Sequence, residues 1–547
     1  MPATLEKTTK NPSTSANHVD AVVVGAGFAG LAMLNKLRKQ GLSVRVIEAG
    51  SGVGGTWYWN RYPGARVDIE SIEYSYQFSE ELQQEWEWTE RYSPQGEVLK
   101  YLNHVADRFD LRRDIQFNTR VTSATFDEAA HRWTVTTDKG ENISAAWCIM
   151  ATGCLSQPNM PKFKGADSFK GAIYHTGNWP HEGVDFTGKR VGIIGTGSSA
   201  VQSIPEIAKQ AKHLTVFQRT ATYSVPAVNA PIDPALVRQI KADYAGFRKR
   251  NNETMVAAYA RFAIGDKSAL EVSAEERNRI YEDAWKVGGI MFLYASFTDV
   301  LIDKAANDTA SEFIRGKIRS IVKDPETANL LSPNTVAGCK RLCADTGYYE
   351  TYNRDNVKLV DVKSAPIEVL TPTGLRTANA EFEFDAIVFA TGFDAMTGSL
   401  NRINIRGKAD LPLKEKWEAG PRTYLGLTTV GFPNMFMISG PGSPSVLTNM
   451  VPSIEQHVNW IADCIRDLRA HGVASIEAKQ QAEDAWVDHV NEVANATLFP
   501  SCNSWYLGAN IPGKPRVFMP YLGFPAYVEK CNQVMAAGYE GFALNKA

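Results

Sequence analysis

Asp20-Ala-Val-Val-Val24-Gly25-Ala-Gly27-Phe-Ala-Gly30 is the stretch from which the architecture follows. A short β-branched apolar run reads as a buried strand, and three glycines spaced G-x-G-x-x-G come directly after it. LAMLNKLRKQ continues with apolar residues at helical spacing, Gly41 stops it, and SVRVIE forms a second strand ending at Glu48. In this strand–turn–helix–strand unit Gly25 permits the tight turn, Gly27 admits a pyrophosphate close to the backbone, and Gly30 lets helix and strand pack. The phosphates fall on the helix N-terminus, where free N–H groups and the dipole favour anions. Glu48 stands where a carboxylate accepts hydrogen bonds from a ribose diol.

A second such unit lies downstream. Lys189-Arg-Val-Gly-Ile-Ile194 leads into Gly195-Thr196-Gly197-Ser198-Ser199-Ala200, with Ala200 in place of the third glycine. Its second strand, HLTVFQ, ends at Gln218-Arg219-Thr220 instead of at an acid. Arg219 suits a 2′-phosphate that a carboxylate would repel, so the second turn reads as a site for NADPH over NADH.

Two strands end alike, at Ala151-Thr152-Gly153 and Ala390-Thr391-Gly392, where a chain can leave and re-enter a nucleotide domain. The predicted class is α/β, with two Rossmann-like dinucleotide-binding domains and a helical insertion. Residues 1–18 read as a flexible tail, 19–155 and 390–547 as a discontinuous first domain, 156–225 and 336–389 as the second, and 226–335 as the insertion. A chain of 547 residues is long enough for several such cores.

Composition narrows the function. The net charge of -2 favours neither nucleic acid nor an anionic membrane, and no apolar run is long enough to span a bilayer. The polar N-terminus has no apolar h-region. Seven widely scattered cysteines, none at CxxC spacing, argue against a disulfide framework, a zinc site or a dithiol pair, and reduced thiols in a cytoplasmic protein are expected. No metal site is expected.

Between the two turns lies Phe169-Lys-Gly171-Ala-Ile-Tyr-His175-Thr-Gly-Asn-Trp179-Pro180, and after the first unit comes Gly54-Gly-Thr56-Trp57-Tyr-Trp59-Asn-Arg-Tyr-Pro-Gly-Ala-Arg66-Val-Asp68. Three aromatics in succession cannot all face one core, so some cover a ligand or pack between domains. On spacing alone Asp68 beside Arg66 is more often a surface ion pair, and Lys340-Arg341, though consistent with phosphate contacts, more often a solvated pair of cations.

With these pieces in view, the chain resembles the type I Baeyer–Villiger monooxygenases over residues 19–545. The Phe169-x-Gly171-x-x-x-His175-x-x-x-Trp179-Pro180 fingerprint carries the resemblance, helped by GGTWYWNRYPGARVDIES, NRDNV, GPGSPSVLTNM and SWYLGANIPGKPRVFMPYLG. The longer GPGSPSVLTNM loop is similar to that of the phenylacetone and steroid monooxygenase branch. Phe524-Pro525 departs from a second glycine usual in the family.

The resemblance implies FAD and NADPH as cofactors and a ketone and O2 as substrates. NADPH would reduce FAD, O2 would add, and a peroxyflavin would attack the ketone to give an ester or lactone. It implies that Arg341 stabilises the anion and the tetrahedral adduct, with Asp68 orienting it. FAD contacts are implied for Thr56, Trp57, Trp59, Asp68, Tyr74 and Val121, with Met450 near flavin and substrate. Arg219 and Lys340 would take the 2′-phosphate and Trp505 the nicotinamide nucleotide. Thr196, Ser198, Ser199, Gln202 and Thr220 complete the expected NADP set. His175 is implied to couple the linker to NADP(H) binding. A monomer or weak homo-oligomer is expected, with no nucleic-acid or membrane partner. An N- or S-oxygenating flavin monooxygenase is the alternative. Pyridine-nucleotide disulfide reductases share the paired turns but require a dithiol, and a cofactor-binding sensor would not consume NADPH in response to ketone.

Overall fold

The structure, a computed structural model, describes residues 17–546. The expected N-terminal tail lies outside these residues except at its end, where His18 already opens the first strand. In chain order the elements that build the two sheets are β1 (His18–Val24), α1 (Phe28–Lys39), β2 (Val44–Ile47), β3 (Ile115–Gln116), β4 (Val121–Asp127), β5 (Arg132–Thr137) and β6 (Asn142–Met150). They continue with β7 (Ala172–His175), β8 (Arg190–Ile194), α2 (Ser198–Gln210), β9 (His213–Gln218), β10 (Val357–Asp361), β11 (Ala386–Phe389), β12 (Asn404–Arg406) and β13 (Met435–Met437).

The first sheet runs β12-β4-β5-β6-β1-β2-β3, with β13 also paired to β6. Its β1–β2 and β1–β6 pairs are parallel and its β4–β5–β6 meander antiparallel. β1 is apolar at successive positions because both its faces are covered. Ala21 and Val23 join one core with Leu31 and Leu34 of α1 and Ile461 and Ile465 of the long helix Met450–Ala470, while Val22 and Val24 join another with Trp133 and Phe432.

The second sheet, β10-β9-β8-β11-β7, is parallel throughout. β7 is the edge strand and holds Ala172 to His175 of the fingerprint, so this stretch is sheet rather than free linker. The chain therefore crosses from the first sheet to the second before the fingerprint and returns after β11. Six helices lie within residues 234–331. Tyr281, Phe292 and Ile314 from this region pack with Ile193, Val201 and Val216 of the second sheet and α2.

The two glycine turns and the two Ala-Thr-Gly turns explain one another. Gly25 has φ +107°, and a Cβ there would lie 2.6 Å from the Ala151 carbonyl oxygen. Gly195 has φ +118°, and its Cβ would collide with the carbonyl oxygen of Ala390. Each nucleotide turn is thus pressed against the end of the neighbouring Ala-Thr-Gly strand, and only glycine fits there.

Candidate active site

The turn after β1 fits a dinucleotide. No side chain caps α1 and no acid occupies its first turn, so its N-terminal N–H groups are left for an anion. The Gly54 N–H donates to the Ala26 carbonyl at 3.0 Å and brings the aromatic run Thr56–Trp59 against the turn. Glu48 is buried and accepts hydrogen bonds from the Ala26 N–H at 2.7 Å and the Gly50 N–H at 2.6 Å. Burial raises its pKa and those bonds counter the rise. Each carboxylate oxygen retains a second lone pair for a ribose. Trp57 donates its indole N–H to the Tyr74 hydroxyl at 3.3 Å. Val121, at the start of β4, is buried, and Met450 opens the helix Met450–Ala470.

The second turn is also uncapped, and a Cβ on Gly197 would meet open space. Thr196 donates to the Thr220 carbonyl at 2.8 Å, Ser199 shares a hydrogen bond with Thr176 at 3.1 Å, and Ser198 shares one with the Cys343 thiol at 3.3 Å. Gln202 faces the first domain instead. It accepts from the Tyr62 hydroxyl at 2.8 Å and donates to the Arg66 carbonyl at 3.0 Å. Arg219 is exposed, and the partly buried Lys340 is close enough to feel its charge. Burial first, and Arg219 second, lower the Lys340 pKa below the ordinary lysine value. Among the described residues neither cation makes a salt bridge, and two unpaired cations side by side suit a dianion.

Lys340 and Arg341 part company. Arg341 turns toward the first domain, where its Nε–H and an Nη2–H donate to the two carboxylate oxygens of Asp68 at 2.7 and 2.8 Å. An Nη1–H donates to the Val446 carbonyl at 2.8 Å. Arg66 pairs with Glu90 at 3.0 Å, so Asp68 is left to Arg341. Burial opposes the Arg341 charge, but Asp68 outweighs it and holds the guanidinium pKa above its ordinary value. Arg341 lines a pocket with Ile69, Tyr259, Tyr294, Leu447 and Tyr506. Trp505 lies beside Tyr506 with ring centroids 4.3 Å apart and planes tilted by 50°.

Tyr259 and Tyr506 escaped the sequence reading. Tyr506 lies inside the SWYLGANIPGK motif, where a signal existed. Tyr259 sits in the insertion, in a mostly apolar stretch with no motif, yet its hydroxyl donates to the Asp68 carbonyl at 2.9 Å.

The fingerprint joins the two halves. His175 is buried, its Nδ1 accepts the Gly177 N–H at 2.9 Å, and its Nε2 lies 3.2 Å from the Asn159 carbonyl. That pattern assigns the proton to Nε2, and burial lowers the pKa, so the ring is neutral. Gly171 is required because a Cβ there would collide with the Phe169 ring. Trp179, followed by Pro180, donates its backbone N–H to the Trp59 carbonyl at 3.3 Å. The Phe524-Pro525 departure opens the helix Phe524–Ala536, with proline in the first turn where it is tolerated.

One expectation fails. Cys339 and Cys502 are joined as a disulfide, so two of the seven cysteines are not free thiols, while the other five are free and buried. Their separation of 163 residues hid the pair from any spacing rule. Among the described residues no cluster of metal-ligating side chains occurs, and no helix is long and apolar enough to cross a membrane.

Two uncapped glycine turns on two Rossmann-like sheets, with a guanidinium–carboxylate pair between them, define a two-dinucleotide flavoprotein oxidoreductase. Residues 22–280 match the family model described as pyridine nucleotide-disulphide oxidoreductase. A solved structure of oxidized steroid monooxygenase bound to NADP shares 56% identity with a TM-score of 0.92, covering 97% of this chain and 100% of that one. A Baeyer–Villiger monooxygenase of Pseudooceanicola batsensis is 47% identical over 97% of both chains. A phenazine N-monooxygenase of Lysobacter antibioticus is 45% identical over 96% of this chain and 97% of its own. The chain belongs to the Baeyer–Villiger monooxygenase family, flavoenzymes that use FAD and NADPH.

Proposed function

We propose that the protein uses NADPH and O2 to insert one oxygen atom next to a ketone carbonyl, giving an ester or lactone. The observation that carries this reading is Arg341, fixed by Asp68 and the Val446 carbonyl while lining an apolar, tyrosine-walled pocket. Bound FAD, once reduced by NADPH, supplies the oxygen-transferring chemistry. Arg341 places a permanent positive charge where negative charge develops on the ketone oxygen, and Asp68 keeps that charge oriented before reaction. The buried, largely apolar walls of the pocket lower the local dielectric and so strengthen the interaction. FAD is assigned to Gly25, Gly27, Gly30, Glu48, Thr56, Trp57, Trp59, Tyr74, Val121 and Met450. NADPH is assigned to the Gly195–Ser199 turn, Gln202, Arg219, Thr220, Lys340 and Trp505. His175, neutral and inside a hydrogen-bonded strand end, serves position and not proton transfer. The same reading holds the protein to be a cytoplasmic monomer or weak oligomer, where NADPH is at hand.

NADPH oxidation measured against a panel of linear, cyclic, aryl and steroidal ketones, with chromatographic identification of products, tests this. Ester formation from any ketone supports it. A second reading, N- or S-oxygenation, is favoured by the 45% identity to a phenazine N-monooxygenase. Oxidation of amines or sulfides with no ester from any ketone would replace the first reading by the second.

A further inference from the structure

The Cys339–Cys502 link, with its Cα atoms 5.9 Å apart, connects two segments that each carry site residues. Cys339 immediately precedes Lys340 and Arg341, and Cys502 lies shortly before Trp505 and Tyr506. The Cys339 side is anchored independently, because Asn307 accepts the Ala337 N–H at 2.9 Å and donates to the Ala337 carbonyl at 2.8 Å. The far end of the other loop is anchored too, by Lys514 on Asp394 at 2.6 Å and Asn510 on the Phe393 carbonyl at 2.8 Å. Between these points the backbone bonds of Ser504, Leu507, Gly508 and Ala509 stay inside the loop. Tyr506 is held besides by its pocket with Arg341 and by the Met519 N–H on its carbonyl at 3.0 Å, and the sulfur bridge adds a covalent tie between the half-buried Trp505 end of the loop and the Arg341 segment.

The seven cysteines also differ in access. Cys148, Cys154, Cys343, Cys464 and Cys531 are buried, and burial pushes the Cys343 thiol, four residues from Cys339, up to about 12. Cys502 is half-exposed. An oxidant therefore meets Cys502 first, with Cys339 as the thiol already within reach.

We propose that Cys339 and Cys502 form a reversible thiol–disulfide site, oxidised by hydrogen peroxide, that latches the Trp505 loop onto the Lys340–Arg341 segment. In the oxidation the Cys502 thiolate attacks peroxide, the O–O bond breaks, and hydroxide leaves and is protonated to water. The Cys339 thiol then attacks the resulting sulfenic sulfur, the S–S bond forms, and a second water leaves. Two thiols lose two electrons to one peroxide. A dithiol reductant reverses the step by exchange at the accessible Cys502 sulfur. With the latch closed the half-buried Trp505 and its loop are ordered before the nucleotide arrives, and with it open that ordering opposes binding.

The latch rests on the NADP(H) site assigned above, so its test separates the two. Peroxide-treated and dithiothreitol-treated FAD-loaded enzyme, with Cys502→Ser and Cys339→Ser treated alike, are digested without reductant and titrated with NADP+ by calorimetry. The expected result is a Cys339–Cys502 peptide after peroxide that dithiothreitol removes. On reduction the NADP+ Kd rises by roughly tenfold, the size of effect that ordering a bulky side chain and its loop produces. Both serine variants show the weaker Kd under either treatment. Failure to find the linked peptide after peroxide overturns the proposal, as does an equal Kd for linked and reduced wild type. Peptide linkage without NADP+ binding in either form overturns the nucleotide-site assignment, and the latch with it.

Discussion

Asp68 and Arg341 are 273 residues apart in the chain, yet the carboxylate takes two parallel hydrogen bonds from the guanidinium at 2.7 and 2.8 Å. One residue follows the aromatic run of the first domain and the other precedes the strand pairing that closes the insertion. A two-point bond fixes the plane of the guanidinium as well as its distance, which a lysine cannot reproduce. Tyr259, whose hydroxyl reaches the Asp68 carbonyl, ties a third segment to the same point.

Arg341→Ala is expected to retain flavin reduction by NADPH but to lower ester formation by about 100-fold or more, the usual cost of removing a charge-stabilising donor. Arg341→Lys should stay similarly impaired, because it keeps the charge and loses the fork. Anaerobic stopped-flow reduction beside product chromatography separates the two steps. Undiminished ester formation by Arg341→Ala would remove Arg341 from the mechanism.

Arg219→Ala and Lys340→Ala should each raise the KM for NADPH by roughly tenfold or more while leaving the KM for NADH nearly unchanged, since charged hydrogen bonds are worth ~1.5–3 kcal/mol. Initial-rate measurements with both nucleotides decide this. Equal loss with NADH would mean that the cations support the fold and not the 2′-phosphate.

Gly30→Ala puts a methyl group into the Gly25 carbonyl oxygen, so helix α1 cannot keep its distance from β1. The variant should purify with little flavin absorbance and a markedly lower Tm. Gly41→Ala is the control for backbone conformation alone: its φ of +77° is unfavourable for alanine, but no atom lies within 4 Å of the added carbon. It should lose stability and keep its flavin. Full flavin content in Gly30→Ala would contradict the packing described for the first turn.

Glu73 is buried, accepts the Tyr259 N–H at 2.9 Å, and has its pKa raised to about 8, by burial first and by Glu70 second. Glu455, also buried, is raised to about 7. Between the ordinary carboxylate value of 4.5 and these values the native state binds more protons than the unfolded chain. Stability therefore falls as pH rises through that window, and the loss is complete above the folded pKa. The Tm of wild type should fall between pH 5 and pH 8, values set by that window. Glu73→Gln, which keeps an acceptor for Tyr259, should flatten the fall. Parallel melting curves for the two proteins would refute this.

Much was legible from local pattern. G-x-G-x-x-G after a β-branched run announces a strand, a turn and a helix because only glycine tolerates those φ values and close approaches, and those constraints act within about thirty residues. Both nucleotide turns, the Arg219 strand end and the paired Ala-Thr-Gly strands are of this kind. The fingerprint located the crossover between domains, although it reads as a linker and folds as an edge strand, since pairing with β11 depends on residues more than two hundred positions away. Contacts between distant segments carry no local period. For that reason the choice of Asp68 over Arg66's own neighbourhood, the divergence of Lys340 from Arg341, the Tyr259 strap and the Cys339–Cys502 bond were decided only when the two sheets and the insertion packed together.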